Sequence, residues 1–191
     1  MPEIAAVPGL TFLPGYLTPA EHDATLACID SAPWLTDLKR RVQHYGYRYN
    51  YKRRSVDSDL YLGTLPGWLV ELGGRLVQDG LFEKMPDQVI VNEYAPGQGI
   101  ALHIDCEPCF GNTIVSITLG SACVMNYVKS GQTVPILLHP RSLVRMCGEA
   151  RYAWKHGIPA RKFDQVGGQV ITRARRVSVT FRNVIINRES A

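Results

Sequence analysis

The pattern of apolar and polar positions divides this 191-residue chain in two. In the first half, apolar residues recur at helical spacing. Thr18-Pro19-Ala20-Glu21 reads as a capping box, with Thr18 as N-cap, Pro19 at the first helical position and Glu21 three residues on. That helix is predicted to run to about Ser31, before Pro33. A second helix opens near Pro66, with Leu65, Leu69, Leu72, Leu76 and Val77 on one face; Gly73 and Gly74 weaken it and Gly80 offers a stop. From residue 88 onward the period changes. Short runs of β-branched and other apolar residues at 88–94, 113–119, 122–128, 134–138, 142–146 and 176–186 are predicted strands. Turn pairs such as Pro96-Gly97, Gly120-Ser121 and Gly167-Gly168 separate them. Helices first and many short strands afterwards predict an α+β fold whose strands form a sandwich or jelly roll. No repeat or low-complexity linker interrupts the pattern, so one domain over 1–191 is expected.

Composition narrows the setting. No run approaches 18 apolar residues, which argues against a membrane span, and the first residues make a poor signal peptide. Five cysteines without framework spacing suit a reducing, cytoplasmic compartment. The formal charge of +4 says little by itself, but its distribution says more. Lys39, Arg40, Arg41, Arg48, Lys52, Arg53 and Arg54 lie together without an acid among them, and Tyr45, Tyr47, Tyr49 and Tyr51 are interleaved.

Three groups of residues could carry chemistry. In His103-Ile104-Asp105, residues i and i+2 of an extended segment share a face, so imidazole and carboxylate converge while Ile104 packs away. With one more histidine they would make the facial triad of non-haem iron oxygenases. A chance HxD is common enough that the tripeptide alone is weak. Downstream, only His139 and His156 could complete it. His139 reads as a strand-end residue, whereas strand alternation would put Tyr152, Trp154 and His156 on one face. In Arg176–Arg182, the two arginines share a face with Ser178 and Thr180, opposite Val177, Val179 and Phe181. Such arginines are ordinarily solvated. Facing inward they would need anionic partners, and a dicarboxylate such as 2-oxoglutarate supplies two.

Read in order, these pieces resemble the AlkB family of dioxygenases. Asn92-Glu93-Tyr94-Ala95-Pro96-Gly97 running into His103-Ile104-Asp105 is similar to that family's Asn-x-Tyr-x-x-Gly and HxD segment, Trp154-Lys155-His156 to its distal histidine, and Arg176 and Arg182 to its two arginines. The likeness covers most of 40–186. Residues 41–47, 140–143 and 148–154 are similar in particular to the oxygenase domain of tRNA wobble-uridine hydroxylases. The resemblance implies that His103, Asp105 and His156 ligate Fe(II) and that Asn92 and Tyr94 hydrogen-bond 2-oxoglutarate. Arg176 would hold the distal carboxylate of that acid, and Arg182 the one nearer the metal, with a further bond to Asp105. O₂ would be the second co-substrate. The fold implied is a double-stranded β-helix, or jelly roll, with the N-terminal helices packed on one side.

One departure stands out. Where many relatives carry a small polar or acidic residue after the HxD, this chain has Cys106-Glu107-Pro108-Cys109. Glu107 could touch a base. The two cysteines invite a zinc or redox reading, which lacks a second Cys/His pair at finger spacing; thiols beside an oxygen-activating metal are also sites of self-oxidation. Residues 39–54 fall where AlkB-type enzymes place a substrate-covering lid. If that segment is a strand, Tyr45, Tyr47, Tyr49 and Tyr51 line one face and His44, Arg48 and Lys52 the other. Stacking rings and phosphate-neutralising cations suit a nucleic acid, whether single-stranded DNA, RNA or tRNA, with Tyr45, Tyr47, Arg48 and Glu107 as contacts. A half-buried tyrosine face with a solvated cationic rim is the plainer alternative. The expected protein is a monomer that demethylates alkylated nucleic-acid bases. A tRNA hydroxylase, a protein oxygenase or a non-catalytic jelly-roll binding protein are the competing readings.

Overall fold

A computed structural model describes residues 4–36 and 38–186. The chain forms β1 (Leu10–Leu13), α1 (Pro19–Ser31), β2 (Val42–Tyr45), α2 (Gly67–Gln78), β3 (Gln88–Tyr94), β4 (Ile100–His103), β5 (Ile114–Gly120), β6 (Cys123–Lys129) and β7 (Gln132–Leu138). It continues with β8 (Leu143–Met146), α3 (Gly148–Tyr152), β9 (Lys155–Ile158), β10 (Phe163–Val166), β11 (Gln169–Thr172) and β12 (Arg176–Arg182). No described helix is long and apolar enough to cross a membrane.

Local chemistry sets the helix ends. The Thr18 hydroxyl accepts from the Glu21 amide at 3.2 Å, and the Glu21 carboxylate accepts from the Thr18 amide at 2.7 Å, so two otherwise orphaned donors are met reciprocally. Glu21 also accepts from Arg75 of α2 at 2.9 Å, which ties the two helices. Gly73, which weakened the expectation of α2, is buried where the loop before β3 crosses the helix. A Cβ there would come within 2.8 Å of Met85 Cε and 3.1 Å of Pro86 Cγ. The close crossing offsets the roughly 1 kcal/mol that a mid-helix glycine costs.

Two antiparallel sheets face each other. The larger runs β1-β8-β5-β12-β3-β2 and the smaller β4-β9-β6-β7; β10 and β11 form a separate hairpin. Strand alternation sorts the larger sheet. Val89, Val91, Val115, Ile117, Leu119, Val177, Val179 and Phe181 pack with Leu17, Ile29, Leu69 and Leu76 beneath the helices. Burying each such side chain contributes about 1.5–3 kcal/mol. The opposite face carries Asn92, Tyr94, Ser116, Thr118, Arg176, Ser178, Thr180 and Arg182. One end of that interior is closed by a second core in which Tyr94, Ile114, Val144 and Met146 meet Met125, Tyr127, Trp154 and Ile158. Helices on one side and a jelly roll on the other agree with the α+β expectation.

Two local expectations fail. Residues 45–51 are not one strand: β2 ends at Tyr45, and Gly46 turns the chain at φ +74°, where any Cβ would collide with the Asp87 carbonyl. Asn50 then opens a turn, its side-chain oxygen accepting from the Lys52 and Arg53 amides at 3.1 and 3.0 Å. The tyrosines therefore disperse. Tyr45 meets Trp68 edge-on at 5.9 Å on the helix side, Tyr47 lies 5.0 Å from Tyr61, and Tyr49 lies against Tyr51 and Phe110. Likewise Tyr152, Trp154 and His156 do not share a strand face. Residues 148–152 are helical, the amides of Ala153 and Trp154 both donate to the Glu149 carbonyl, and the strand begins only at Lys155.

Candidate active site

β4 and β9 run antiparallel and pair His103 with His156 across the ladder, after a shift of register between Ile100 and His103. Asp105 follows two residues beyond His103. The three residues offer ligand atoms that all lie within 4.8 Å of one another. His103 Nε2 stands 3.3 Å from Asp105 Oδ1, and the two imidazole centroids are 4.4 Å apart. Ligands bound side by side on one metal at about 2.1 Å are about 3 Å apart, so the group needs only small closure to hold an ion. His103 Nδ1 sits 2.8 Å from the Ala101 carbonyl. A proton on Nδ1 satisfies that carbonyl and leaves the Nε2 lone pair facing the aspartate, the tautomer a metal requires.

The charges around this group are arranged to keep it deprotonated. Burial raises the Asp105 pKa, but the guanidinium of Arg182, with lesser help from His103 and His156, overrides it and holds the carboxyl well below the usual range. Arg182 Nε donates to Asp105 Oδ2 at 3.1 Å, so one carboxylate oxygen is engaged while Oδ1 faces the histidines. Burial is also the main cause that lowers His156 to about 4; Asp105 opposes it, and His103, Arg182 and Arg151 add to it. Both imidazole and carboxylate are thus in metal-binding form at neutral pH.

Arg151, in the short helix α3, is a site residue that sequence reasoning missed. Its side chain is only 2 % exposed and donates to the carbonyls of Asp105 (2.9 Å), Gly111, Cys106 and Phe110 (3.2 Å each). The loop that carries the aspartate is wrapped around one guanidinium. Burial lowers the Arg151 pKa and the Asp105 charge raises it, so each charge favours the other. An arginine near a distal histidine was visible in the sequence; its direction was not.

On the larger sheet, cross-strand pairing sets Arg176 beside Tyr94, Ser178 beside Asn92 and Arg182 beside Gln88. Arg176 donates through Nη2 to Thr118 at 3.0 Å, and its carbon lies 5.3 Å from the Tyr94 ring centroid. Its Nε and Nη1 are buried without a partner among the described residues, as is the hydroxyl of Tyr127, another residue not foreseen. Buried donors left unmade cost about 1–3 kcal/mol each, more when charged. A carboxylate entering here would satisfy the guanidinium fork, so the residues fit a dicarboxylic acid. Asn92, Tyr94, His103, Asp105, His156, Arg176 and Arg182 all line one cavity between the sheets.

The expected substrate contacts are less unified. Tyr45 belongs to the helix-side core, away from this cavity's wall. Tyr47 packs on the small cluster of Val56, Cys106, Cys109, Phe110 and Val184. Arg48 is exposed and lines a separate cavity with His44, Tyr49, Tyr51 and Lys52. Glu107 is exposed in the turn between Cys106 and Cys109, which form a disulfide. That bond is local to one turn and does not link distant segments; both sulfurs lie 3.2–3.3 Å from the Arg54 carbonyl oxygen.

Comparison with known proteins agrees with the geometry. Residues 31–182 match the family described as the 2OG-Fe(II) oxygenase superfamily. The chain is 39 % identical over 203 residues to an Arabidopsis thaliana protein named as an alkylated DNA repair protein, ALKBH8 homolog, covering 93 % of this chain and 59 % of that protein. It is 38 % identical over 199 residues to a Xenopus tropicalis protein named as a tRNA (carboxymethyluridine(34)-5-O)-methyltransferase, covering 93 % of this chain and 32 % of the other. The chain thus spans about three-fifths and one-third of these relatives. Among solved structures, that of OsALKBH1 superposes with a TM-score of 0.71 at 18 % identity, covering 95 % of this chain and 100 % of the other. The chain belongs to the 2OG-Fe(II) oxygenase superfamily, whose chemistry uses Fe(II), 2-oxoglutarate and O₂, and it has AlkB-type relatives.

Proposed function

We propose that the protein oxidises a modified base in a nucleic acid, with His103, Asp105 and His156 holding the iron and Arg176, Asn92 and Tyr94 holding 2-oxoglutarate. The observation that carries this reading is the meeting of these six residues and Arg182 in one cavity, where Arg176 has two buried donors without a partner among the described residues. When bound, iron and 2-oxoglutarate supply the oxidation: one atom of O₂ goes to succinate, CO₂ leaves, and the other atom enters a substrate C–H bond. The protein's part is to orient and to exclude. His103 presents Nε2 because Ala101 takes Nδ1; Arg182 donates through Nε to one Asp105 oxygen and through Nη1 to Gln88 Oε1, which leaves Nη2 for the near carboxylate of the acid; Arg176 receives the far one. The apolar core around Met125, Val144 and Met146 keeps bulk water from that end.

Oxidation of an N-methyl group gives a carbinolamine that collapses to formaldehyde and the unmodified base. Oxidation of a carbon-linked substituent leaves a stable alcohol. Demethylation is the principal reading. A tRNA hydroxylase is the second, favoured by the similarity of 41–47, 140–143 and 148–154 to wobble-uridine hydroxylases and by the name of the Xenopus relative. A succinate-formation screen over methylated DNA, methylated RNA and tRNA, with His156→Ala as control, tests both. We expect succinate that depends on iron, accompanied by formaldehyde for the first reading or by a nucleoside heavier by one oxygen for the second. Succinate with none of these substrates would count against nucleic acid as the target.

A further inference from the structure

Arg40 is neither an iron ligand nor one of the arginines of β12. It lies in the cationic segment before β2, yet its side chain reaches Asn92, which lines the co-substrate cavity. Its Nε donates to Asn92 Oδ1 at 2.8 Å, across 52 residues of sequence. Its guanidinium carbon is 6.0 Å from the centroid of the Tyr94 ring and 5.9 Å from that of Tyr51. Arg176 lies 5.3 Å from the same Tyr94 ring. Asn92 and Tyr94 both line the cavity, and Tyr51 lines the second cavity beside the 44–52 turn. Arg40 therefore touches lining residues of both, Asn92 and Tyr94 of the first and Tyr51 of the second.

We propose that Arg40 is a positioning residue for 2-oxoglutarate, acting through the side-chain amide of Asn92, and that it ties the 38–54 segment to occupancy of the co-substrate cavity. The inference rests on that cavity being the 2-oxoglutarate site. Its first ground is the directionality of the bond. A guanidinium has donors and no acceptor, so the face of the Asn92 amide turned to Arg40 must be its oxygen. The amide NH₂ is then directed away from Arg40 and is free to donate to a carboxylate. Without Arg40 the amide can rotate about its terminal torsion, which is broad and nearly two-fold, and present oxygen to the anion half the time. The second ground is charge. Two guanidiniums, Arg40 and Arg176, share the Tyr94 ring, and like charges so placed are relieved by an anion bound near both. The third ground is connectivity. Because Arg40 precedes β2 and contacts Tyr51, an acid bound on Asn92 favours the arrangement of the segment expected to meet substrate, and by linkage substrate on that segment favours the acid.

The test is calorimetric titration of the Fe(II)-loaded protein with 2-oxoglutarate under anaerobic conditions, in wild type, Arg40→Ala, Arg40→Lys, Asn92→Ala and the Arg40→Ala/Asn92→Ala double variant. Arg40→Ala is expected to weaken binding about tenfold, the equivalent of one hydrogen bond to a charged group. Arg40→Lys, which keeps a donor and the charge, recovers part of the loss. Iron affinity stays at its wild-type value, and kcat at saturating 2-oxoglutarate is unchanged while the KM for the acid rises. Once Asn92 is alanine, removal of Arg40 adds less than its effect in wild type. Binding by Arg40→Ala within twofold of wild type, or full additivity in the double variant, would overturn the inference alone. A wild-type protein that does not bind 2-oxoglutarate would overturn the reading of the cavity, and this inference with it.

Discussion

The metal and co-substrate centre and the cationic tyrosine segment before it are joined through Arg40, and they are built on different principles. All of the centre but Asp105 is written on strands. β12 is buried along its whole length, with β3 on one side and β5 on the other, so alternation alone decides that Arg176 and Arg182 face inward. The 45–54 segment is written on turns, where Gly46 and Asn50 redirect the chain within five residues. A sheet transmits position over many residues because each side chain is set by register. A turn does not, since one left-handed residue reorients everything after it. Side chains that need fixed geometry are thus placed chiefly on the sheet, and the cationic tyrosine segment on turns, which tolerate change.

That contrast can be broken at Arg151, where the rigid side meets a loop. Arg151→Met removes the donor to four carbonyls of the aspartate-bearing loop. Iron affinity is expected to fall about 10–100-fold, as is usual when a group that orients a ligand is removed. A Tm drop of about 10 °C should accompany it, following from a loss of about 3 kcal/mol. Arg151→Lys should recover part of both. A lower Tm with iron affinity unchanged would show that the arginine supports the fold and not the ligand.

Smaller effects are expected on the turn side. Arg53 and Arg54 are exposed. The double substitution Arg53→Ala/Arg54→Ala should leave 2-oxoglutarate binding unchanged. It should reduce the slope of log Kd for single-stranded nucleic acid against log salt by about 0.7 for each phosphate that is no longer neutralised. An unchanged slope would remove these cations from the interface. Smallest of all is Tyr45→Phe, which gives up only the bond to Gln43 on the helix side and should leave nucleic-acid affinity within twofold of wild type. A larger fall would return Tyr45 to the substrate surface.

Legibility in the sequence followed the same division. The capping box at Thr18, the helix after Pro66 and strands β3, β5, β8 and β12 of the larger sheet could be read from the sequence pattern; the four-residue β1, too short to show a period, could not. Arg176 and Arg182 could be placed on a common face because strand period two leaves no freedom; His103 ends β4 and Asp105 follows in the loop that Arg151 holds, so their convergence is set there. Arg151 and Tyr127 could not be found: a buried arginine and a buried tyrosine look the same in sequence as exposed ones until the partner carbonyls or the cavity are known. The tyrosine alternation misled for a related reason. Its period was correct for a strand, but the Gly46 turn against the Asp87 carbonyl is a contact with a segment some forty residues away. The strand face expected for Tyr152 and Trp154 failed because helical bonding to the Glu149 carbonyl prevailed over alternation.

In the proposed reading, His103, Asp105 and His156 hold iron and Arg176 holds the far end of 2-oxoglutarate. Anaerobic titration of wild type, His156→Ala and Arg176→Ala with Fe(II) and then with 2-oxoglutarate tests it most directly. We expect one iron and one acid per wild-type chain, weak binding of both in His156→Ala, and an Arg176→Ala protein that keeps its iron while its affinity for the acid falls about 100-fold or more, as for a buried charged pair broken on one side. An Arg176→Ala protein that binds 2-oxoglutarate as wild type does, or a His156→Ala protein that retains iron at full affinity, would contradict it.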